Sequence, residues 1–270
     1  MYFAEAVNHL PIWANALICL VIGGGVVPAI QLAIRRRYGV ESLMVNNEVA
    51  GFKYAVLGVV YAVLLVFIMV AVWDEFRDAK SDTAQEARAL LDLYRLSPGF
   101  DDGSRVALRD SILHYANAVV HDEWPALARG EASPVADAAL KQLFERVMVA
   151  VQSGHFLEAI RQPAIGLVIE IADCRRSRLD FADGVIPRVL WGVILIGGIA
   201  TLSFTWFFGS NNARAQAGMT AMLSVMVLSV IFVSAMLDRP FTGEVSVSPK
   251  PFEQTIRDLH SPLAAPATRP

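Results

Sequence analysis

The stretch NNEVAGFKYAVLGVVYAVLLVFIMVAVW, residues 46–73, decides how this chain is read. A polar lead-in of Asn46, Asn47 and Glu48 opens into an apolar run broken only by Gly58 and the weakly polar Tyr61. A helix needs about twenty apolar residues to cross the hydrocarbon of a bilayer, and this run supplies them. Directly after it comes WDEFRDAKSDTAQEARALLDLYR, residues 73–95, which is charged and amphipathic. One helix is therefore predicted to leave the membrane and continue into water.

The whole chain agrees with that beginning. Of its 270 residues 55% are hydrophobic and only 18% charged, and the mean hydropathy is +0.46. The apolar residues lie in long runs rather than at amphipathic spacing, which marks an all-α integral membrane protein. A net charge of −3 and the absence of any Lys/Arg arm give no nucleic-acid partner. Cys19 and Cys174 make neither a disulfide framework nor a metal-ligand spacing.

Three further spans flank the first. Leu10–Ile34 is preceded by Glu5 and by no Lys or Arg, contrary to a signal peptide, and ends at Arg35–Arg36–Arg37. Its Gly23–Gly24–Gly25 and Pro28 allow close helix approach or a local break inside a bundle. Val185–Phe208 and Met219–Leu237 are the third and fourth spans, with Trp191 and Trp206 near the two interfaces. The chain thus divides into a first transmembrane hairpin, 1–73, a soluble helical domain, 74–184, a second hairpin, 185–238, and a tail, 239–270. In the tail Phe252, Ile256 and Leu259 mark a short amphipathic segment, and the Pro/Ala-rich end is predicted to be disordered. The soluble domain reads as helices throughout: residues 86–94 carry an apolar stripe, Val106–Leu127 and Val135–Val151 follow, and His155–Asp183 is bent at Pro163.

Four spans put both termini and the soluble domain on one side of the membrane. The basic residues point both ways: Arg35, Arg36, Arg37 and Lys53 lie in the first link, while Arg77, Lys80, Arg88, Arg175, Arg176, Arg178, Arg188, Arg239 and Lys250 lie on the domain side.

Chemistry is sparse. The spans hold no Asp, Glu or His, whereas coupled transport uses ionisable groups at membrane depth. His114, His121, Asp122 and Glu123 form the best metal-like group, but seven residues separate the histidines and no close third ligand completes a zinc pattern. The bland reading, an exposed helix end before Trp124–Pro125, is preferred. Glu86 and Arg88 with Arg95, and Asp173 with Arg175, Arg176 and Arg178, read as interhelical pairs or solvated charges. Ser203, Ser210 and Ser224 have no His or Lys partner in a motif. No catalytic residue, metal or cofactor is assigned.

Several segments together resemble the bestrophin-like group of prokaryotic membrane proteins, labelled DUF4239. They are NEVAGFKYAVLGVVYAVLLVF (47–67), EARALLDLYRL (86–96), Tyr115 with EWPAL (123–127), RRSRL (175–179), IPRVLW (186–191) and LDRPFTG (237–243). The resemblance implies a homo-oligomeric, pentameric channel for small anions in the inner membrane, with both termini and the helical domain cytoplasmic. It implies a pore lined by the second span, where Leu57, Tyr61 and Leu65 would form apolar rings that gate by dewetting. Asn47, Glu48 and Lys53 would sit at the pore mouth. The acidic run that holds calcium in animal bestrophins is missing, with Glu244 alone near Pro240–Phe241. The alternative is a non-conducting membrane sensor or scaffold whose helical domain binds a partner.

Overall fold

A computed structural model describes residues 3–45, 47–154 and 157–260. The end of the tail predicted to be disordered, 261–270, lies outside them, as does the His155 start predicted for the last domain helix. In chain order the α-helices are α1 (Phe3–Asn8), α2 (Ile12–Val21), α3 (Val27–Tyr38), α4 (Val40–Met44) and α5 (Asn47–Leu96). They continue as α6 (Asp102–Ala118), α7 (Trp124–Leu127), α8 (Pro134–Ser153), α9 (Arg161–Ala182), α10 (Arg188–Phe204), α11 (Ala213–Leu237) and α12 (Lys250–His260). Four stretches are long and apolar enough to cross a membrane: Ile12–Tyr38, Asn47–Gly99, Arg188–Phe207 and Ala213–Leu237. The chain forms two compact units, Met1–Glu75 with Gly184–Arg239 and Gly243–Val245, and Phe76–Asp183 with Pro240–Thr242 and Ser246–Pro270.

In the first unit, a π-turn at Ile22–Val26 joins α2 to α3, so the first span is continuous to Tyr38 and ends where Gly39 takes φ +77°. The three glycines of that turn are not equivalent. A Cβ on Gly23 would lie 2.8 Å from the backbone nitrogen of Val225 in α11, whereas one on Gly25 would meet nothing within 4 Å. Backbone cannot swing aside, so Gly23→Ala is expected to lose about 1–3 kcal/mol from overpacking. Gly25→Ala should hold stability or raise it by up to about 1 kcal/mol through helix propensity. Thermal unfolding of the two variants in detergent separates them.

Helix α1 has no counterpart in the sequence reading, being too short to show a period. It buries Ala4 and Val7, Phe3 meets Trp191 and Phe232 at 5.4 and 5.7 Å, and the Asn8 amide donates to the Ala235 carbonyl at 3.1 Å. At the same end of α11, Asp238 gathers three donors: Val185 N (3.1 Å), Ile186 N (2.8 Å) and Trp191 Nε1 (3.2 Å). Asp238 of LDRPFTG thereby holds Ile186 and Trp191 of IPRVLW. At the other end Arg35 donates to the Ser210 carbonyl, Gln216 Oε1 (2.9 Å) and the Asn211 carbonyl (3.3 Å). Arg35, the first of the arginines at which the first predicted span ends, is a clasp on the loop before α11.

The second unit packs Leu90, Leu93, Leu108, Ile112, Tyr115, Leu143, Val147 and Ile171 into one core, closed by Phe252 and Leu259 of α12. Local chemistry sets its helix ends. Asp101 caps α6, Ser133 caps α8 ahead of Pro134, and Gly154 ends α8 in the left-handed region at φ +73°. Two expectations are corrected. The helix predicted over Val106–Leu127 starts earlier, at Asp102, and reaches Leu127 only through a π-turn, Val119–Glu123, whose extra residue turns Glu123 inward. Pro163 bends nothing: it lies in the first turn of α9, where its missing N–H has no intrahelical partner to lose.

Candidate functional site: the long membrane helix and a buried charge ladder

The membrane part of α5 has a face sealed by its own subunit. Tyr61, Leu65 and Ile68 are buried against α10 and α11 residues including Trp191, Ile194 and Ile231, and Val72 is buried one turn further on. The Tyr61 hydroxyl donates to the Ile194 carbonyl at 2.9 Å. Its ring lies so close to α10 that a Cβ on Gly197 would sit 2.7 Å from Tyr61 Cε2, and one on Gly198 2.9 Å from the hydroxyl. Tyr54 stacks on Phe204 at 5.5 Å. Asn47 exchanges two hydrogen bonds with Gly209, its amide donating to the carbonyl (2.7 Å) and its carbonyl accepting from the N–H (3.1 Å).

These contacts give the surroundings of the residues taken from the sequence. Tyr61 and Leu65 are only 5% and 7% exposed and fill the subunit's own core, and Leu57 is half-buried on the same side. Asn47 is a structural clasp, while Glu48 and Lys53 are exposed. Residues four apart share a helix face, but nothing in the spacing says which face meets the bundle. The Gly197–Gly198 pair was the available signal for Tyr61, since adjacent glycines mark where another helix's ring comes close.

Facing away from that core is a second stripe: Phe52 (75% exposed), Val56, Val59, Val63 (49%), Phe67 (71%) and Val70. Beside it an open apolar groove of ≈ 730 Å³ runs between α5 and α11, lined by Tyr54, Gly58, Ala62, Leu65, Thr201 and Met226 among others. The structure leaves both the stripe and the groove uncovered.

Beyond the membrane span, residues of the second unit form an alternating ladder of charge. The Tyr115 hydroxyl donates to Glu86 Oε1 (2.5 Å), and Arg178 holds both oxygens of Glu86 at 3.0 Å. Arg178 also reaches Glu123 Oε2 at 2.9 Å, Arg175 clamps Glu123 Oε1 at 2.6 Å, and Arg175 Nη1 meets Asp137 Oδ1 at 3.1 Å. Lys141 completes the run, 2.7 Å from Asp137 Oδ2. Glu86, Glu123 and Arg178 are wholly inaccessible, while Asp137 and Lys141 reach solvent. Three acids thus alternate with three bases from core to surface.

Each protonation state has a local cause. Burial pushes the Glu86 carboxyl above the ordinary range, countered in part by the Arg178 charge. Burial opposes the Arg178 cation as well, yet Glu86 and Glu123 outweigh it and hold its pKa above the usual value. Tyr115 is pushed well up by burial and by the Glu86 charge beside it. Burial, then the Glu86 and Asp82 charges, raise the Cys174 thiol to about 12, which leaves it unreactive. Asp137 is lowered, first by its hydrogen bond from Lys141.

Among the described residues Arg178 Nη1 has no hydrogen-bond acceptor. The guanidinium instead lies 5.3 Å from the Trp124 ring centre and 5.7 Å from that of Phe252. Of the charges grouped from sequence, Glu86 takes Arg178 rather than Arg95, and Arg175 takes Glu123 rather than Asp173. The metal-like group is divided by the π-turn, which sends Glu123 to the arginines and leaves His121 and Asp122 exposed.

Known proteins with this architecture exist. The family described as the bestrophin-like domain matches residues 24–252. Two solved structures of a bacterial bestrophin homologue from Klebsiella pneumoniae superpose on most of the chain. A tyrosine-to-alanine mutant gives a TM-score of 0.69 at 13% identity, covering 90% of this chain and 97% of that one. A zinc-phased structure gives 0.67 at 14% identity, covering 92% and 97%. At such identities the likeness is one of fold. No curated protein matches the chain.

Proposed function

Because this chain belongs to the bestrophin-like family, we propose that it is a homo-oligomeric, passive ion channel whose pore is lined by the membrane part of α5. The observation that carries this reading is the continuous apolar stripe Val56–Val59–Val63–Phe67–Val70, uncovered within one subunit on the side opposite its core. Copies arranged about a common axis would turn that stripe inward as stacked rings, an apolar neck that controls passage by dewetting. The neck thereby moves from Leu57, Tyr61 and Leu65 to the opposite face of the same helix. The absence of acidic and histidine side chains from the spans suits passive conduction rather than coupled transport.

Small anions are the permeant that the family resemblance implies, and five the subunit number. The same resemblance puts both termini and the helical unit in the cytoplasm of a cell with the protein in its inner membrane. A fluorescent reporter fused after Pro270 should light up on that side; a periplasm-only reporter active at the same position would reverse the orientation.

Purified protein reconstituted in liposomes should pass ions down a gradient, with native mass measurement giving a ring of identical subunits. A monomer or dimer in mild detergent that passes neither K⁺ nor Cl⁻ would overturn the channel and favour a sensor or scaffold.

A further inference from the structure

All four spans have an end at one place in the first unit, at Tyr38, Asn47, Phe207 and Ala213. Contacts within the unit hold these ends together. Asn47 pairs with Gly209 at 2.7 and 3.1 Å, and a Cβ on Gly209 would lie 2.9 Å from the Met44 backbone nitrogen. Arg35 is spent on the Ser210 and Asn211 carbonyls and on Gln216. Four further cations at this end are exposed: Arg36, Arg37, Lys53 and Arg214. Among the described residues no hydrogen bond or ion pair engages their side chains. Lys53 lies about 9 Å along α5 from Asn47, at 1.5 Å per residue. Helical side chains lean toward the N-terminus, so its long stem carries the ammonium back to the same end. The described acids there are Glu41 and Glu48, which leaves the end net positive. Beside the cations stand large apolar side chains without cover: Tyr38, Val45 and Phe207.

We infer that this end is a docking surface for the headgroups of anionic phospholipids, with Arg36, Arg37, Lys53 and Arg214 as the groups that hold the phosphates. Neither half of the surface points to a partner alone, since a solvated cation and an exposed ring at a helix end are both ordinary. Together, at the level where four apolar runs stop, they match the layering of a bilayer interface. The apolar side chains meet the acyl boundary, and the cations reach the depth of the phosphates. A soluble acidic protein would satisfy the charges but leave Tyr38, Val45 and Phe207 against water. A lipid covers both. Three of the four cations are arginines, whose forked donors bond phosphate oxygens two at a time. Each Lys or Arg at an anionic membrane surface adds roughly fivefold to binding, and Glu41 and Glu48 subtract from that gain. The inference goes beyond the channel reading and does not depend on it, because a non-conducting scaffold with the same anchor would present the same surface.

The test places the full-length protein in nanodiscs of phosphatidylcholine with a minority of phosphatidylglycerol and reads the lipids that stay bound by native mass measurement. Phosphatidylglycerol should be enriched on the wild type by roughly fivefold or more over its share of the disc. The combined Arg36→Gln/Arg37→Gln/Lys53→Gln/Arg214→Gln variant should return it to that share, and Glu41→Gln/Glu48→Gln should raise it. Arg146→Gln/Arg176→Gln, which removes exposed cations of the second unit, should leave it unchanged. Phosphatidylglycerol added in detergent should raise the thermal midpoint of the wild type. The fourfold variant should lose that rise yet unfold at the wild-type temperature without lipid, since the replaced side chains are exposed and unpaired. Excess inorganic phosphate should displace none of the bound lipid; displacement would make this a site for free phosphate and overturn the lipid assignment. A wild type that takes both lipids in proportion overturns it too. So does a preference that the fourfold variant keeps or that the second-unit pair abolishes equally. Ion flux plays no part in these readouts, so the channel reading stands or falls separately.

Discussion

Arg178→Met is expected to cost the protein about 3–5 kcal/mol, because removing one partner of a buried pair strands the other charges. Arg178 is the only cation touching Glu86 among the described contacts, and it shares Glu123 with Arg175. Methionine fills the volume beside Trp124 and Phe252 but leaves Glu86 with the Tyr115 hydroxyl alone. The companion variant is Glu86→Leu with Arg178→Met, which removes the anion and the cation together. Replacing a buried ion pair by apolar side chains of similar size is often neutral or stabilising, so the double variant should recover most of the loss. Thermal unfolding in detergent followed by circular dichroism reads both. A single-variant loss below about 1 kcal/mol would put the ladder in the class of solvated surface pairs, against its burial.

Phe67→Ala is expected to raise ion flux steeply, and Tyr61→Phe to leave it alone. Hydrating a constriction that presents a large apolar side chain costs about 1.5–3 kcal/mol more than one that does not. Expressed as a barrier, that is on the order of ten- to hundredfold in rate. Phe67 is 71% exposed in the subunit, so its truncation leaves no cavity in the fold. Tyr61 is the opposite case. Its loss of a hydroxyl removes the bond to the Ile194 carbonyl and should lower stability by about 1 kcal/mol without touching the neck. Parallel liposome flux assays decide between the two faces of α5: a larger change with Tyr61→Phe than with Phe67→Ala would return the neck to the sequence-based position.

Some of this structure was legible residue by residue. The long helix across residues 47–96 followed from an apolar run passing without Pro or Gly–Pro punctuation into an amphipathic one. Ser133–Pro134 and Gly154 announced the ends of α8 by capping chemistry that needs no partner helix. The π-turn at Val119–Glu123 was not legible, because a single added residue is invisible to a periodicity that tolerates a slip of one. Nor was α1, whose six residues are fixed by Trp191, Phe232 and Ala235, more than 180 positions away.

The sequence by itself determined the class of molecule: four apolar runs of spanning length, a water-facing helical unit between the second and third, and spans without acidic residues. Those properties are local, written in run length and composition, and the bilayer enforces them whatever the packing. The tertiary structure alone decided which side of α5 is spent on its own subunit and which is left free. It alone decided that Glu86 meets an arginine 92 residues away and Glu123 one 52 residues away. The physical reason is that a helix's period fixes the angles between its residues but not the direction of the helix as a whole. That direction is set by close approaches such as Tyr61 over Gly197–Gly198, which exist only once the chain has folded.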